Sequence, residues 1–277
     1  MYVRPGVDML SCIRISSVAL LFSALLALPS QAQNTEQLQV GPPPLHRVDP
    51  PARGASPEEL EKRGDELRED KNYLDAVDYY QAALKGAPGS TSVFNKIGIC
   101  QLQMHRYKEA KKSFERAIKA DRKHADAYNN LGVIDYQTHN YNGAIKQYEK
   151  AISLKNDASS YYSNMGAAYF GKKQFDKAIQ NYSKAMELDP DIFERISRAG
   201  VQAQLPSPED RAHYDYVVAR LYAKMGVADR SLHYLKKAME EGYKDIKNVY
   251  TDNEFSTLRK DPRFAELMAA KTTAIPD

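Results

Sequence analysis

Four glycines, Gly64, Gly98, Gly132 and Gly166, stand 34 residues apart, and what surrounds each is copied with it. Ala76, Ala110, Ala144 and Ala178 follow the glycines by twelve residues, Tyr80, Phe114, Tyr148 and Tyr182 by sixteen, and Ala83, Ala117, Ala151 and Ala185 by nineteen. Tyr73, Tyr107, Tyr141 and Phe175, nine after the glycines, open the second half of each unit. Small residues at fixed offsets are needed where two helices approach closely, and aromatics fill the space around them. A unit of this length is one helix–turn–helix pair, too thin to bury its own apolar face, so the copies must stack to make a core. The chain is therefore expected to be an all-α solenoid.

The order Leu-Gly, Tyr, Ala, Phe/Tyr, Ala and then Pro resembles the tetratricopeptide repeat (TPR) family. The last unit carries it most fully, with Tyr162, Met165, Gly166, Tyr169, Ala178, Tyr182, Ala185 and Pro190. Departures are small: Arg63 replaces the apolar residue before Gly64, and Asn156 stands where Pro88 and Pro190 do. The resemblance implies a right-handed TPR superhelix with four clear repeats over 57–192. Beyond them, residues 193–211 break the register with Pro206 and Pro208, and 212–245 read as a divergent fifth repeat. There Ala219 takes the place of the glycine, Tyr222, Leu235 and Ala238 keep their offsets, and Ser231 replaces the alanine. Ala219 lies 53 residues after Gly166, so 19 residues are inserted beyond one period. Residues 246–277 are expected to form a C-terminal helical cap and tail. Asp252 would cap a short helix before Phe255 and Leu258, and Asp261 another with Pro262 at its first position.

At the amino terminus, Arg4 and Arg14 precede the apolar run Ile15–Leu28, and the small residues Ser30 and Ala32 follow. This is the layout of a signal peptide over 1–32 with cleavage after Ala32. The start is Met1 or Met9; the run is the same for both. The run has 14 residues, short of the roughly 20 that span a bilayer. The expectation is an exported protein, periplasmic or secreted, with no stable membrane insertion after cleavage. Removal of 1–32 leaves Cys100 as the only cysteine, which excludes an intramolecular disulfide. Residues 33–55 hold Pro42, Pro43, Pro44, Pro50 and Pro51 and read as a disordered linker. Ser56, Pro57 and Glu59 then supply the signature of a helix start.

Catalytic patterns are missing. The six histidines show no metal-ligand spacing, and the chain has no phosphate loop and no nucleophile elbow. The reading is not an enzyme, with no catalytic residues, no metal and no cofactor. Positive and negative residues interleave along the chain, which speaks against nucleic acid as a partner. His105 and His139 occupy the same place in the turn between paired helices. Cys100 stands where its counterparts are Ile134 and Ala168, which predicts a buried, inert thiol.

At 100° per residue, positions −6, −3, −2, +1, +4 and +5 from each glycine share one side of the first helix. In the TPR family that side lines a concave groove. The first repeat places Glu58, Glu61, Lys62, Asp65, Arg68 and Glu69 there, whereas the central repeats place amides and apolar residues. The resulting candidates for peptide binding are Asn95, Ile99, Leu102, Asn129, Asn130, Val133, Tyr136, Gln137, Asn164 and Phe170. Amides can bond an extended backbone and the apolar groups can take its side chains. Asn130 and Asn164 resemble the asparagine ladder of some peptide-binding TPR arrays, while the paired basic residues of a carboxylate clamp are absent from the two central repeats, where only Lys96 qualifies. The functional expectation is a protein-interaction module for an extended peptide segment. The alternative is a structural scaffold of an envelope or secretion complex acting through self-association.

Overall fold

The computed structural model describes residues 48–52, 54–194 and 207–270. The expected signal segment, most of the linker, the centre of the insertion and residues 271–277 lie outside them. Eight helices run in pairs: α1 (Pro57–Glu69) with α2 (Tyr73–Gly86), α3 (Thr91–Gln103) with α4 (Tyr107–Ala120), α5 (Ala125–Gln137) with α6 (Tyr141–Leu154), and α7 (Ser159–Gly171) with α8 (Phe175–Leu188). After the insertion come α9 (Pro208–Lys224) and α10 (Ala228–Glu240), then three short 3-10 turns and α11 (Pro262–Ala269). The described residues contain no strand.

Helix starts follow their local chemistry. Ser56 Oγ accepts from the Glu59 N–H at 3.2 Å while the Glu59 carboxylate accepts from the Ser56 N–H at 2.9 Å, closing the capping box. Ser90, Ser207 and Asp261 cap α3, α9 and α11 by accepting from a backbone N–H of the first turn. Just before α1, Val48 packs on the first repeat's core and the Tyr79 hydroxyl donates to the Asp49 carbonyl at 3.1 Å.

Within each pair the chain reverses through one left-handed residue: Lys71, His105, His139 and Lys173, with φ of 63°, 58°, 60° and 58°. The following N–H reaches back to the carbonyl five residues earlier, as from Arg106 to Gln101 at 2.8 Å and from Asn140 to Asp135 at 2.8 Å, which is the Schellman closure. In the fifth repeat the same place is held by Gly226 at φ 76°, the residue such a conformation favours.

The 34-residue glycine marks the closest approach of the paired helices. A Cβ on Gly132 would sit 2.5 Å from Tyr148 Cε1, and one on Gly64 or Gly166 would sit 2.6 Å from the ring of Tyr80 or Tyr182. Gly98 meets Phe114 in the same way. The fifth repeat reaches the same fit with the opposite choice of sizes: Ala219 replaces glycine and Leu235 replaces the ring, both fully buried in one cluster.

Adjacent repeats bury apolar clusters between them, such as Phe94, Phe114, Leu131 and Ile134, or Tyr136, Tyr148, Ala167 and Ala168. The insertion does not break this chain of contacts: Tyr182, Met186, Ile192 and Phe193 share a cluster with Val217, Val218 and Leu221 of α9. Beyond α10, Val249, Phe255, Leu258 and Phe264 close over Tyr216, Ala219 and Leu235, covering the last repeat. The Tyr216 hydroxyl donates to Asp252 at 2.8 Å, and Arg220 bridges to Glu254 at 2.7 Å. Asp252 thus serves as a partner for α9 and makes no side-chain cap, and the element that follows it is a 3-10 turn, Asn253–Phe255, instead of a short α-helix. These buried clusters lie within Arg47–Asp277, which forms one compact unit.

Gly132→Ala overpacks the Tyr148 ring and is expected to cost about 1–3 kcal/mol. Combining it with Tyr148→Leu, which copies the Ala219–Leu235 pair, should cost at least about 1 kcal/mol less than the sum of the single changes in urea unfolding. A pH effect is expected from Asp215, buried on α9, which accepts from Lys237 Nζ at 3.1 Å. Burial nevertheless pushes its carboxyl up from 3.8 to about 6. The folded state therefore holds this proton more tightly than the unfolded chain, and its contribution is lost as pH rises from about 4 through about 6. Asp215→Asn should match the native protein near pH 4 and exceed it at pH 7 by on the order of 2 kcal/mol, measured by thermal unfolding across that range.

Candidate binding groove

The first helices of repeats two to four, α3, α5 and α7, each turn one asparagine or two toward the same side. Asn164 Nδ2 donates to Asn129 Oδ1 at 2.9 Å, Asn129 Nδ2 to Asn130 Oδ1 at 3.3 Å, and Asn130 Nδ2 to Asn95 Oδ1 at 3.0 Å. The four amides form one continuous hydrogen-bonded chain across three repeats. Asn95, Asn129 and Asn164 are buried and Asn130 is half-buried. An amide group has two N–H donors and two lone pairs. Each of the two central members spends one of each on the chain and keeps one of each.

Beside the chain lies an open cavity of about 340 Å³. Ile99, Leu102 and Val133 give it an apolar strip, Asn129, Asn130, Asn164, Gln103, Gln137 and Ser160 give it a polar one, and His105 and Tyr107 stand at one end. No Lys, Arg, Asp or Glu lines it among the described residues. Lys96, the one basic residue that the two central repeats place in the groove register, is held by Glu61 at 2.7 Å and Asp65 at 2.6 Å. Those two carboxylates belong to the first repeat, so its charged face is turned toward its neighbour.

The repeated helix pairs are matched by known families. Models of the tetratricopeptide repeat match residues 67–131 and 159–192, and a model described as a TPR repeat matches 134–173. The chain is a tetratricopeptide repeat protein. A chloroplastic protein of Arabidopsis thaliana is 35% identical over 63 residues, 23% of this chain and 19% of that protein. The match thus spans about a fifth of that relative's length. Among solved structures, TTC0263, a thermophilic TPR protein in Thermus thermophilus, is similar with 18% identity over 77% of this chain and 100% of that one, at a TM-score of 0.48. MamA from Desulfovibrio magneticus RS-1 is similar with 17% identity over 69% of this chain and 97% of that one, also at 0.48.

Seven of the ten candidate residues line the cavity of this TPR protein: Ile99, Leu102, Asn129, Asn130, Val133, Gln137 and Asn164. Asn95 stands behind them as the end of the amide chain. Tyr136 and Phe170 lie elsewhere, only 1% and 4% exposed. Tyr136 is enclosed by Ala144, Ala167 and Ala168, with its ring 5.6 Å from that of Tyr141. Phe170 is covered by the fifth repeat, its ring 5.6 Å from His213 and 5.8 Å from Tyr214. In repeats three and four position +4 thus faces the seam with the next repeat, where a large ring becomes packing, whereas Leu102 at the same offset in repeat two lines the cavity. Gln103 and Ser160 share the groove register with the candidates and also line the cavity.

His105 and Tyr107 reach the cavity from outside that register. His105 Nδ1 and the Tyr107 hydroxyl are 3.0 Å apart, and His139 and Tyr141 repeat the pair at 3.0 Å. The recurrence His-x-Tyr at 105–107 and 139–141 is visible in the sequence and marks the rim. Cys100 is fully buried behind the groove, and burial pushes its thiol up to about 12, so it is inert at neutral pH. No cluster of three His, Cys, Asp or Glu that could hold a metal occurs among the described residues.

Because the amides are interlocked, their contributions differ by position. Asn129→Ala strips a partner from both Asn164 and Asn130 in a buried place and should cost about 1–3 kcal/mol. Gln103→Ala, on an exposed rim residue, should stay within about 0.5 kcal/mol. Urea unfolding of the two variants checks the difference, and equal effects would mean the amide chain is not a structural link.

Proposed function

We propose that this TPR protein is an exported, non-catalytic interaction module that binds an extended, uncharged segment of another protein along the groove of repeats two to four. The observation that carries the reading is the continuous amide chain beside an apolar strip. An extended backbone has donors and acceptors that the spare valences of Asn129 and Asn130 can meet, and its alternate side chains can fill the space over Ile99, Leu102 and Val133. The uncharged lining favours a segment without charges facing the groove, since an unpaired charge there would lose hydration without compensation. TPR families are interaction modules, which supports the coarser part of the proposal. Export rests on the apolar run Ile15–Leu28 and the small residues before Gln33.

The test uses a peptide array probed with residues 33–277, followed by calorimetry on the best binder. Asn130→Ala combined with Asn164→Ala should weaken binding at least about tenfold, the equivalent of one or two lost hydrogen bonds. Unchanged affinity in a folded double variant would end the groove reading. For export, amino-terminal sequencing of the protein recovered from the producing cell should begin at Gln33. An intact leader on cytoplasmic protein would refute it.

A further inference from the structure

The whole chain is nearly balanced in charge, with 39 basic and 36 acidic residues, but the repeats are not. Residues 57–86 hold five basic and nine acidic side chains, and residues 91–124 hold nine basic and three acidic. The remaining repeats are even: three and three over 125–155, four and four over 159–191, seven and seven over 208–245. One repeat therefore concentrates the positive charge that the interleaved sequence conceals.

Two of its nine cations have internal roles. Lys96 is paired with the first repeat, and the Arg116 guanidinium lies 4.2 Å over the Phe94 ring. Lys108, Lys111, Lys112, Lys119, Arg122 and Lys123 are all exposed and form no ion pair among the described residues. On α4, Lys108, Lys112 and Lys119 fall on one line by helical spacing, with Lys111 beside them. The line is about 16 Å long at 1.5 Å per residue, and Arg122 and Lys123 extend it through the following turn. Glu115 lies within the line and Glu109 beside it; neither forms an ion pair with these lysines. The opposite side of the helix carries Ala110, Phe114 and Ala117, all buried, so the cations are fixed outward by the repeat core. Some outward cations elsewhere are paired, as with Lys184 and Glu187 at 3.0 Å or Lys244 and Glu209 at 2.9 Å, and others without an ion pair among the described residues, such as Lys85, Lys146 and Lys224, lie on separate helices.

We infer that this outward face of α4 and its following turn adsorbs to an anionic lipid bilayer surface by electrostatic attraction, independently of the groove. The composition of the face selects this partner. Protein interfaces are depleted in lysine and anchored by aromatic or apolar side chains, and single-stranded nucleic acid is held by stacking on aromatics. The large exposed apolar residues among those described are Leu188, Met225 and Tyr250, none of them on α4. A row of lysines with no apolar anchor suits a diffuse sheet of anionic headgroups, and basic clusters of about this size are attracted to such a surface. Without apolar anchors the contact stays at the headgroup level. None of the described helices is long and apolar enough to cross a membrane.

The test is co-sedimentation of residues 33–277, which omit the apolar run, with phosphatidylcholine vesicles with and without phosphatidylglycerol. The protein should pellet with the phosphatidylglycerol vesicles at low ionic strength, remain in solution with pure phosphatidylcholine, and be released by high salt as screening shortens the attraction. Lys108→Glu, Lys112→Glu and Lys119→Glu together should reduce binding at least about tenfold while circular dichroism and the unfolding midpoint stay unchanged. Lys224→Glu, Lys236→Glu and Lys247→Glu change net charge equally but lie outside the face, and should leave binding within about twofold of native. The inference is overturned if the native protein ignores phosphatidylglycerol vesicles, if both triple variants lose binding alike, or if only an acidic peptide or an RNA oligonucleotide is captured.

Discussion

The missing Cβ at each 34-residue glycine sets the distance between paired helices, and the rest of the structure takes its geometry from that contact. The ring sixteen residues on lies against the glycine, so the two helices can approach without displacing the alanines at +12 and +19. The ring matters more than its hydroxyl. Tyr148 and Tyr182 bury theirs with no hydrogen-bond partner, and Phe114 fills the equivalent place with none to bury. Tyr80 is the exception for a local reason. Its hydroxyl donates to Asp65 at 2.8 Å, and Asp65 also binds Lys96 of the next repeat, so the first repeat joins its neighbour through a polar bridge.

Periodicity made the helix pairs and their order readable, because a copied offset reports the same contact several times over. The fifth repeat was readable for the same reason even though its residues changed. Ala219 and Leu235 keep the offset while exchanging volume, and Gly226 keeps the left-handed turn that Lys173 and His139 make at greater conformational cost. The tail was harder. Asp252 looked like a cap because aspartate often is one, but its carboxylate bonds Tyr216 and Arg220, residues more than thirty positions away. A local rule loses to a distant partner that no spacing announces.

The groove shows the same division. Helical geometry correctly grouped the asparagines with Ile99, Leu102 and Val133, since a single helix determines which positions share a side. It could not tell which of those positions the next repeat would cover. Tyr136 and Phe170 share the groove's angular sector and were buried by neighbouring helices, whereas Leu102 at the same offset remains at the surface of the cavity. His105 and Tyr107 entered from beyond α3, the first from the left-handed turn and the second from the first position of α4. Charge distribution required the fold in another way: the cations of α4 alternate with other residues in sequence and align only when wound onto a helix whose other side is fixed in the core.

The amide chain also explains why asparagine is tolerated in three consecutive first helices. Each asparagine costs about 0.5 kcal/mol relative to alanine in a helix, and a lone buried amide would add an unmet donor and acceptor. A single asparagine in one repeat would therefore be unfavourable, and its partner one period away would gain nothing alone. Present together, the four meet part of one another's hydrogen-bonding capacity through three bonds, two of which cross between repeats, so the energy of the chain depends on the stacking distance between repeats. Apolar residues could have sealed the same line with less interdependence. Amides instead leave directional hydrogen-bonding groups at fixed spacing along an otherwise apolar wall, so the repeat stacking that builds the core also sets the spacing of the groups that face the groove.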